Sequence, residues 1–333
     1  MADTAILDHY YAPLQPLLAP DDVTELVVNR PGEAGVERSG LWRWHDAPQL
    51  TEAWLRTFAV AAAAHTRQDV GLQAPICSTV LPDGVRCQIV LPPVAPAGTV
   101  SLTLRKPSRR SLTLDDFAAA GLFRGVRTEP GDPDGVDAEL VRLRRAGDWP
   151  AFFRLAVARR RNILVSGATG SGKTTFAKGL IALIPPEERL ITIEDARELV
   201  VPHRNTVHML YARDGQGPAP AGPKALLESA LRMRPDRILL QELRDGSAFF
   251  YLRNVNSGHP GSITTVHADS APLAFEQLTL LVRESEGGRD LPRDDIRALL
   301  RLLIDVVVQM KKTGGRFHMT EVWHEPRGAS SSV

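Results

Sequence analysis

The chain has 333 residues, 43% of them hydrophobic and 24% charged, with a formal net charge of +1. That length predicts two domains rather than one core, and the composition excludes a long disordered or fibrous chain. Near-neutral charge excludes the large positive field with which non-specific nucleic-acid binders gather DNA.

Residues 1–105 read as a small α+β domain. No cationic leader with an apolar core opens the chain, and the best apolar run, 59–64, is far too short to span a bilayer. The expected location is therefore cytoplasmic, with membrane contact but no crossing. Residues 22–29 end in a strand-like Leu-Val-Val run that Arg30-Pro31-Gly32 turns. Residues 51–65 are alanine-rich and predict a helix capped by Thr51. Residues 76–81 and 85–91 flank Pro82-Asp83-Gly84 and predict a hairpin. Its two strands carry Cys77 and Cys87, the only cysteines; without a metal-ligand set they are expected to be free thiols of a reducing compartment. Residues 100–104 alternate apolar and polar side chains as a further strand.

Residues 106–135 read as a linker, because Gly121, Gly125, Pro130, Gly131, Pro133 and Gly135 recur without hydrophobic periodicity. Basic residues cluster at Arg105, Lys106, Arg109 and Arg110, at Arg142, Arg144 and Arg145, and at Arg159, Arg160 and Arg161. Solvated helix faces and domain edges are the expected explanation, with an anionic partner such as lipid headgroups or DNA as the other.

Residues 136–326 alternate strands and helices, the pattern of a parallel sheet covered on both faces. Strands are predicted at 162–166, 190–193, 238–240 and 262–266, and helices at 173–184 and 223–233. Residues 305–310 and 317–323 form a hairpin across Thr313-Gly314-Gly315, and the serine-bearing 327–333 is expected to be a disordered tail.

The first predicted strand of this half runs into Gly167-Ala168-Thr169-Gly170-Ser171-Gly172-Lys173-Thr174, a complete G-x-x-x-x-G-K-[ST] motif, with Thr175 following. Its glycines leave backbone N–H groups free to wrap phosphates at a helix N-terminus. Lys173 supplies a point charge to the β- and γ-phosphates, and the Thr174 hydroxyl suits Mg²⁺. ATP and Mg²⁺ are therefore the expected ligands. Such a site needs an acid at a neighbouring strand end: Glu242 is one candidate, also for the metal, and Glu194 and Asp195 are two more. His259 and His267 bracket the strand after Glu242, which predicts at least one of them near the γ-phosphate; their spacing is not that of a metal pair.

Four blocks in this order resemble one family. They are residues 167–175, Ile-Thr-Ile-Glu-Asp-Ala-Arg-Glu-Leu at 191–199, Ala-Leu-Arg-Met-Arg-Pro-Asp-Arg-Ile-Leu-Leu-Gln-Glu at 230–242, and Asn-Ser-Gly-His-Pro-Gly-Ser-Ile-Thr-Thr-Val-His-Ala at 256–268. They look like the Walker A, Asp, Walker B and His boxes of the hexameric traffic ATPases of type IV secretion and conjugation (P-type DNA transfer ATPases), and residues 24–32 and 81–86 resemble that family's N-terminal domain. The resemblance implies an α/β protein: a RecA-like P-loop C-terminal domain with a smaller α+β N-terminal domain against the inner membrane. It implies a homohexamer coupling ATP hydrolysis to pilus assembly and to export of DNA or protein through inner-membrane channel components, with DNA met only as cargo. By the same resemblance Glu242 activates water, Glu194 and Asp195 support metal and water, His267 meets the γ-phosphate region, and Arg86 and Arg105 reach the nucleotide. Gln241 departs from the family's usual glycine, and its amide is expected to shift Glu242 or to bond the phosphate loop. A type II secretion or type IV pilus motor, an ATP-binding ring scaffold with weak turnover, and a helicase are the alternatives.

Overall fold

The computed structural model describes residues 5–108, 111–126, 134–212, 221–256 and 258–326. The N-terminal domain opens with α1 (Ala5–Tyr11) and α2 (Gln15–Leu18) and continues through β1 (Val23–Val28), β2 (Gly32–Arg38), β3 (Leu41–Ala47), α3 (Glu52–His65), β4 (Ile76–Val80), β5 (Arg86–Val90) and β6 (Ser101–Arg105). Its six strands form one antiparallel sheet in the order β3-β2-β1-β6-β5-β4. Helix α3 begins where expected, Thr51 Oγ1 accepting the Trp54 N–H at 3.2 Å, and buries Leu55, Phe58, Ala59, Ala62 and Ala63 among the sheet's apolar side chains. The β2–β3 hairpin was not expected: the Arg30-Pro31-Gly32 turn leads into a strand beginning Gly-Glu-Ala-Gly, residues with little strand preference, and a Cβ on Gly35 would lie 3.1 Å from the ring of its cross-strand neighbour Trp44.

Within the linker, α4 (Leu114–Ala119) is capped reciprocally by Thr113 and Asp116 and has no buried residue. Residues 127–133, with Pro130, Gly131 and Pro133, and the expected tail at 327–333 lie outside the described residues.

The C-terminal domain runs α5 (Val136–Ala146), α6 (Trp149–Ala158), β7 (Ile163–Gly167), α7 (Lys173–Ile181), β8 (Leu190–Glu194), β9 (Thr206–Leu210), α8 (Pro223–Ala230), β10 (Arg237–Leu240), α9 (Ser247–Asn256), β11 (Ile263–Val266), α10 (Ala271–Glu284), α11 (Arg293–Leu303), β12 (Val306–Thr313) and β13 (Arg316–His324). Strands β9-β8-β10 and β11-β7-β12 are parallel, joined by a parallel bridge between Glu242 and Thr265; β13 returns antiparallel beside β12. Because strand side chains alternate, Ile163 and Val165 pack with α5, α6 and α7, while Leu164 faces the opposite core with α8, α9, α10 and α11.

The domains meet through Val90, Val94 and Ala95, which join the core of the C-terminal domain, and through polar side chains. Arg189, fully buried just before β8, donates to Met233 O at 2.8 Å, Asn29 Oδ1 at 2.8 Å and Thr103 Oγ1 at 3.1 Å. Burial pushes its guanidinium down to about 9. Asn29 donates to Asn205 Oδ1 and Gln88 to Ser229 Oγ, while Arg204 pairs with Glu33 and Arg234 with Glu37. The expectation that the arginine clusters are solvated holds for Arg142, on an exposed helix face with Glu139, and fails for Arg161. That side chain is 7% exposed and pairs with Asp137 and with Asp305 at 3.5 Å, since a charge tied into the core must bring its counter-ions with it.

Candidate active site

All five β7 residues are buried, so the loop that follows is aimed from a fixed base. Gly167 has no room for a side chain: a Cβ there would lie 2.4 Å from Met310 O and 2.5 Å from Ser171 Oγ. Gly172, at φ +90°, hands the loop to α7, its carbonyl accepting the Phe176 N–H at 2.9 Å. Lys173 is 7% exposed and folds over its own loop, donating to Gly167 O at 2.8 Å and Ala168 O at 2.9 Å. Burial lowers its pKa, and the charge of Glu242 opposes that shift. Ser171 Oγ is buried without a protein partner, an orphaned hydroxyl inside a loop shaped for anions. Thr174 is half-buried in the first turn of α7 and Thr175 is exposed.

The acid comes from the next strands. Glu242 follows β10 and is held in register by its bridge to Thr265, whose Oγ1 donates to Gln241 O at 2.9 Å. His267, one residue past β11, places Nε2 2.9 Å from Glu242 Oε1 and Nδ1 3.3 Å from Lys173 Nζ. Lysine can only donate, so Nδ1 accepts and the ring hydrogen sits on Nε2, facing the carboxylate. On its other oxygen, Glu242 meets Arg244 at 3.4 Å, and Arg244 reaches Asp195 Oδ2 at 3.0 Å. Lys173, His267, Glu242, Arg244 and Asp195 thus form one chain of polar contacts across the carboxyl ends of the sheet. Arg244 was missed in the sequence; its signal was a basic residue two positions after the strand-end acid, where the strand period returns to the same side.

Glu194 ends β8 and turns one carboxylate oxygen into the loop that follows. It is fully buried, and its Oε2 accepts the Glu198 and Leu199 N–H groups at 2.7 and 2.9 Å. Burial pushes the carboxyl up, but His208, those two N–H groups and Thr192 outweigh it and hold it below its ordinary value. The residue shapes the 195–199 loop. Gln241 corrects an expectation: its amide donates to Glu198 Oε2 at 2.8 Å, so it ties this loop to β10 rather than bonding the phosphate loop. His259 precedes β11 and lies beside Pro235, Asp236 and Arg160, at the amino end of the sheet.

Arg86 and Arg105 are cross-strand neighbours in the N-terminal sheet. They line a cleft of about 800 Å³ with Glu25, Glu37 and Arg234. Arg234 precedes β10 as Glu242 follows it, so both arginines lie toward the amino end of that strand, the end opposite the phosphate loop. The residues at the loop fit Mg²⁺ chemically: Thr174 and Glu242 are hard oxygen donors, and among the described residues no three His, Cys, Asp or Glu gather as a metal cluster. Mg²⁺ beside phosphates takes only one or two protein ligands and completes its shell with phosphate and water.

A phosphate loop between a buried strand and a helix, faced by a strand-end glutamate and a histidine in a RecA-like sheet, defines a P-loop ATPase. A family model described as Type II/IV secretion system protein matches residues 144–320. The type IV secretion system protein VirB11 of Bartonella henselae is 50% identical over 325 residues, covering 94% of this chain and 91% of that protein. VirB11 of Brucella suis is 44% identical over 328 residues, covering 97% and 91%. The crystal structure of the Brucella suis VirB11 ATPase in complex with sulphate superposes with a TM-score of 0.90 at 44% identity, covering 96% of this chain and 98% of that one. The chain belongs to the VirB11 family of type IV secretion ATPases, which decides against the type II and pilus motors.

Proposed function

We propose that the protein is a homohexameric motor on the cytoplasmic face of the inner membrane, turning over Mg-ATP to drive assembly and export through a type IV secretion channel. The observation carrying the reading is the continuous contact from Lys173 through His267 to Glu242. In the reaction, loop N–H groups from Gly167 to Thr175 cradle the phosphates. Lys173 exchanges its loop carbonyls for phosphate oxygens, a cation already desolvated and in place. Glu242 orients the attacking water and takes its proton, while His267 fixes the carboxylate from one side and Arg244, backed by Asp195, from the other. Thr174 and Glu242 would hold Mg²⁺, which neutralises charge on the β- and γ-phosphates when bound. Arg86 and Arg105 serve a neighbouring subunit's nucleotide, a reading supported by the cleft they share with Arg234 at the amino end of β10.

Phosphate release from the purified chain tests the core of this reading. Lys173→Ala should abolish turnover and weaken ATP binding by about 10²-fold, the scale of one desolvated charge contact. Unchanged affinity in a direct titration would remove Lys173 from the site.

A further inference from the structure

Between α6, α7 and the turn joining β12 to β13 runs an apolar groove of about 460 Å³. Gly172 and Thr175 of the phosphate loop form one end of it, Phe153 and Met310 its floor, and Phe317 a wall. Phe317 is 55% exposed, yet it is not loose: a Cβ on Gly172 would lie 3.0 Å from Phe317 Cδ1, so the ring rests on the phosphate loop itself. Leaving so large an apolar surface in water is unfavourable, and here it adjoins the phosphate loop. A nucleoside triphosphate held by this loop must put its base beside the end of the loop, and a base has two apolar faces that stack on aromatic rings.

We infer that this groove seats a purine base by stacking on Phe317, and that it does not read the base's hydrogen-bonding edge, so that the enzyme hydrolyses GTP as well as ATP. The inference rests on the ATPase reading above. Its second half follows from the lining, in which, among the described residues, Arg154 and Thr175 are the only polar side chains and no carboxylate or carboxamide occurs. Adenine and guanine differ in their edge donors and acceptors. A pocket rejects the wrong edge strongly only when its own buried polar groups would be left unpaired, and one built from apolar surface discriminates weakly. Pyrimidines offer less stacking area and are the poorer substrates.

The test is steady-state phosphate release by the full chain with the magnesium salts of ATP, GTP and CTP, alongside inhibition by inorganic tripolyphosphate, which has phosphates and no base. Expected are kcat/KM values for ATP and GTP within about 10-fold of each other and a lower value for CTP. Phe317→Ala should raise KM for both purines by about 10-fold, the lower range of a lost base stack, without moving the tripolyphosphate inhibition constant, and Phe317→Trp should restore the purine KM. A preference for ATP over GTP beyond about 100-fold overturns the edge-blind groove. Unchanged purine KM in Phe317→Ala, with tripolyphosphate still competing, overturns the groove as the base site while leaving the ATPase reading standing. Failure of tripolyphosphate to inhibit, together with normal turnover by Lys173→Ala, overturns both.

Discussion

Replacing Glu242 by Gln separates binding from chemistry, and the geometry sets the size of each effect. The carboxylate holds His267 at 2.9 Å and Arg244 at 3.4 Å, with 20% of its side chain exposed. An amide keeps the shape and one of the two contacts, and partly exposed ion pairs are worth about 1 kcal/mol or less. The fold should therefore lose no more than about that. Turnover should fall by about 10²- to 10³-fold, or roughly 3–4 kcal/mol of barrier, because a neutral amide neither accepts the water's proton nor adds charge beside the phosphates. A second effect reaches Lys173. Burial lowers that lysine's pKa and the charge of Glu242 opposes it, so in the variant Lys173 loses its proton at lower pH than in wild type. Fluorescent-nucleotide titrations from neutral to alkaline pH should show near-normal affinity at neutrality and an earlier alkaline loss. Wild-type turnover, or binding lost in proportion to turnover, would refute the assignment of Glu242.

Gln241→Gly removes one hydrogen bond, to Glu198, and also a buried amide oxygen that has no partner. The two effects offset, leaving a stability loss of about 1 kcal/mol from glycine in a strand end, and the ATP affinity should not change; a shift in affinity would mean that Gln241 acts on the phosphate loop after all. Glu25 is buried in the cleft with Arg105, and burial pushes its carboxyl up to about 7. Between its ordinary value and about 7 the folded protein binds the extra proton, so this group's contribution to stability falls as pH rises through that window, by about 3 kcal/mol in all. Urea midpoints of Glu25→Gln and wild type should thus diverge in the variant's favour from pH 5 to pH 8, and a gap that stays constant or closes would refute the buried, protonated carboxyl.

What could be read from the sequence was local. The strand, glycine loop and helix of 163–181 lie within one short stretch of chain, and the Thr51 cap and the Pro82-Asp83-Gly84 hairpin are equally short-range. Glu242 and His267 were legible because parallel strands align their carboxyl ends, so two strand-end polar residues meet if the strands are adjacent. Illegible were pairings between distant residues that nothing nearby announces: Arg161 with Asp137 and Asp305, Arg189 with Asn29 and Thr103, Arg244 with Asp195. Glu194 and Asp195 show the limit sharply. Neighbours in sequence, they point to opposite sides of a strand end, one into the loop that it shapes and the other toward Arg244.

The distance between Arg86, Arg105 and the phosphate loop has a consequence for assembly. Each protomer presents its N-terminal arginines at the amino end of the C-terminal sheet and its phosphate loop at the carboxyl end. If both are needed for one nucleotide, the two halves of a site come from different subunits, which is a head-to-tail contact, and head-to-tail contacts that close give rings. Arginine suits this role, holding its proton and gripping phosphate oxygens bidentately. Two inactive variants decide the matter when mixed. Lys173→Ala subunits keep intact arginines, and Arg86→Ala/Arg105→Ala subunits keep an intact loop. If sites form between subunits, about one quarter of them in an equal, random mixture combine an intact loop with intact arginines, half times half for each head-to-tail contact. If sites form within a subunit, none do. Unfolded and refolded or coexpressed mixtures should therefore recover about a quarter of wild-type turnover per subunit, and the recovery should vanish on dilution into monomers. A mixture no more active than the average of its two parents would refute sites shared between subunits, and an Arg86→Ala/Arg105→Ala variant as active as wild type would place the arginines outside the catalytic cycle and leave the cleft around Arg234 a purely structural joint between domains.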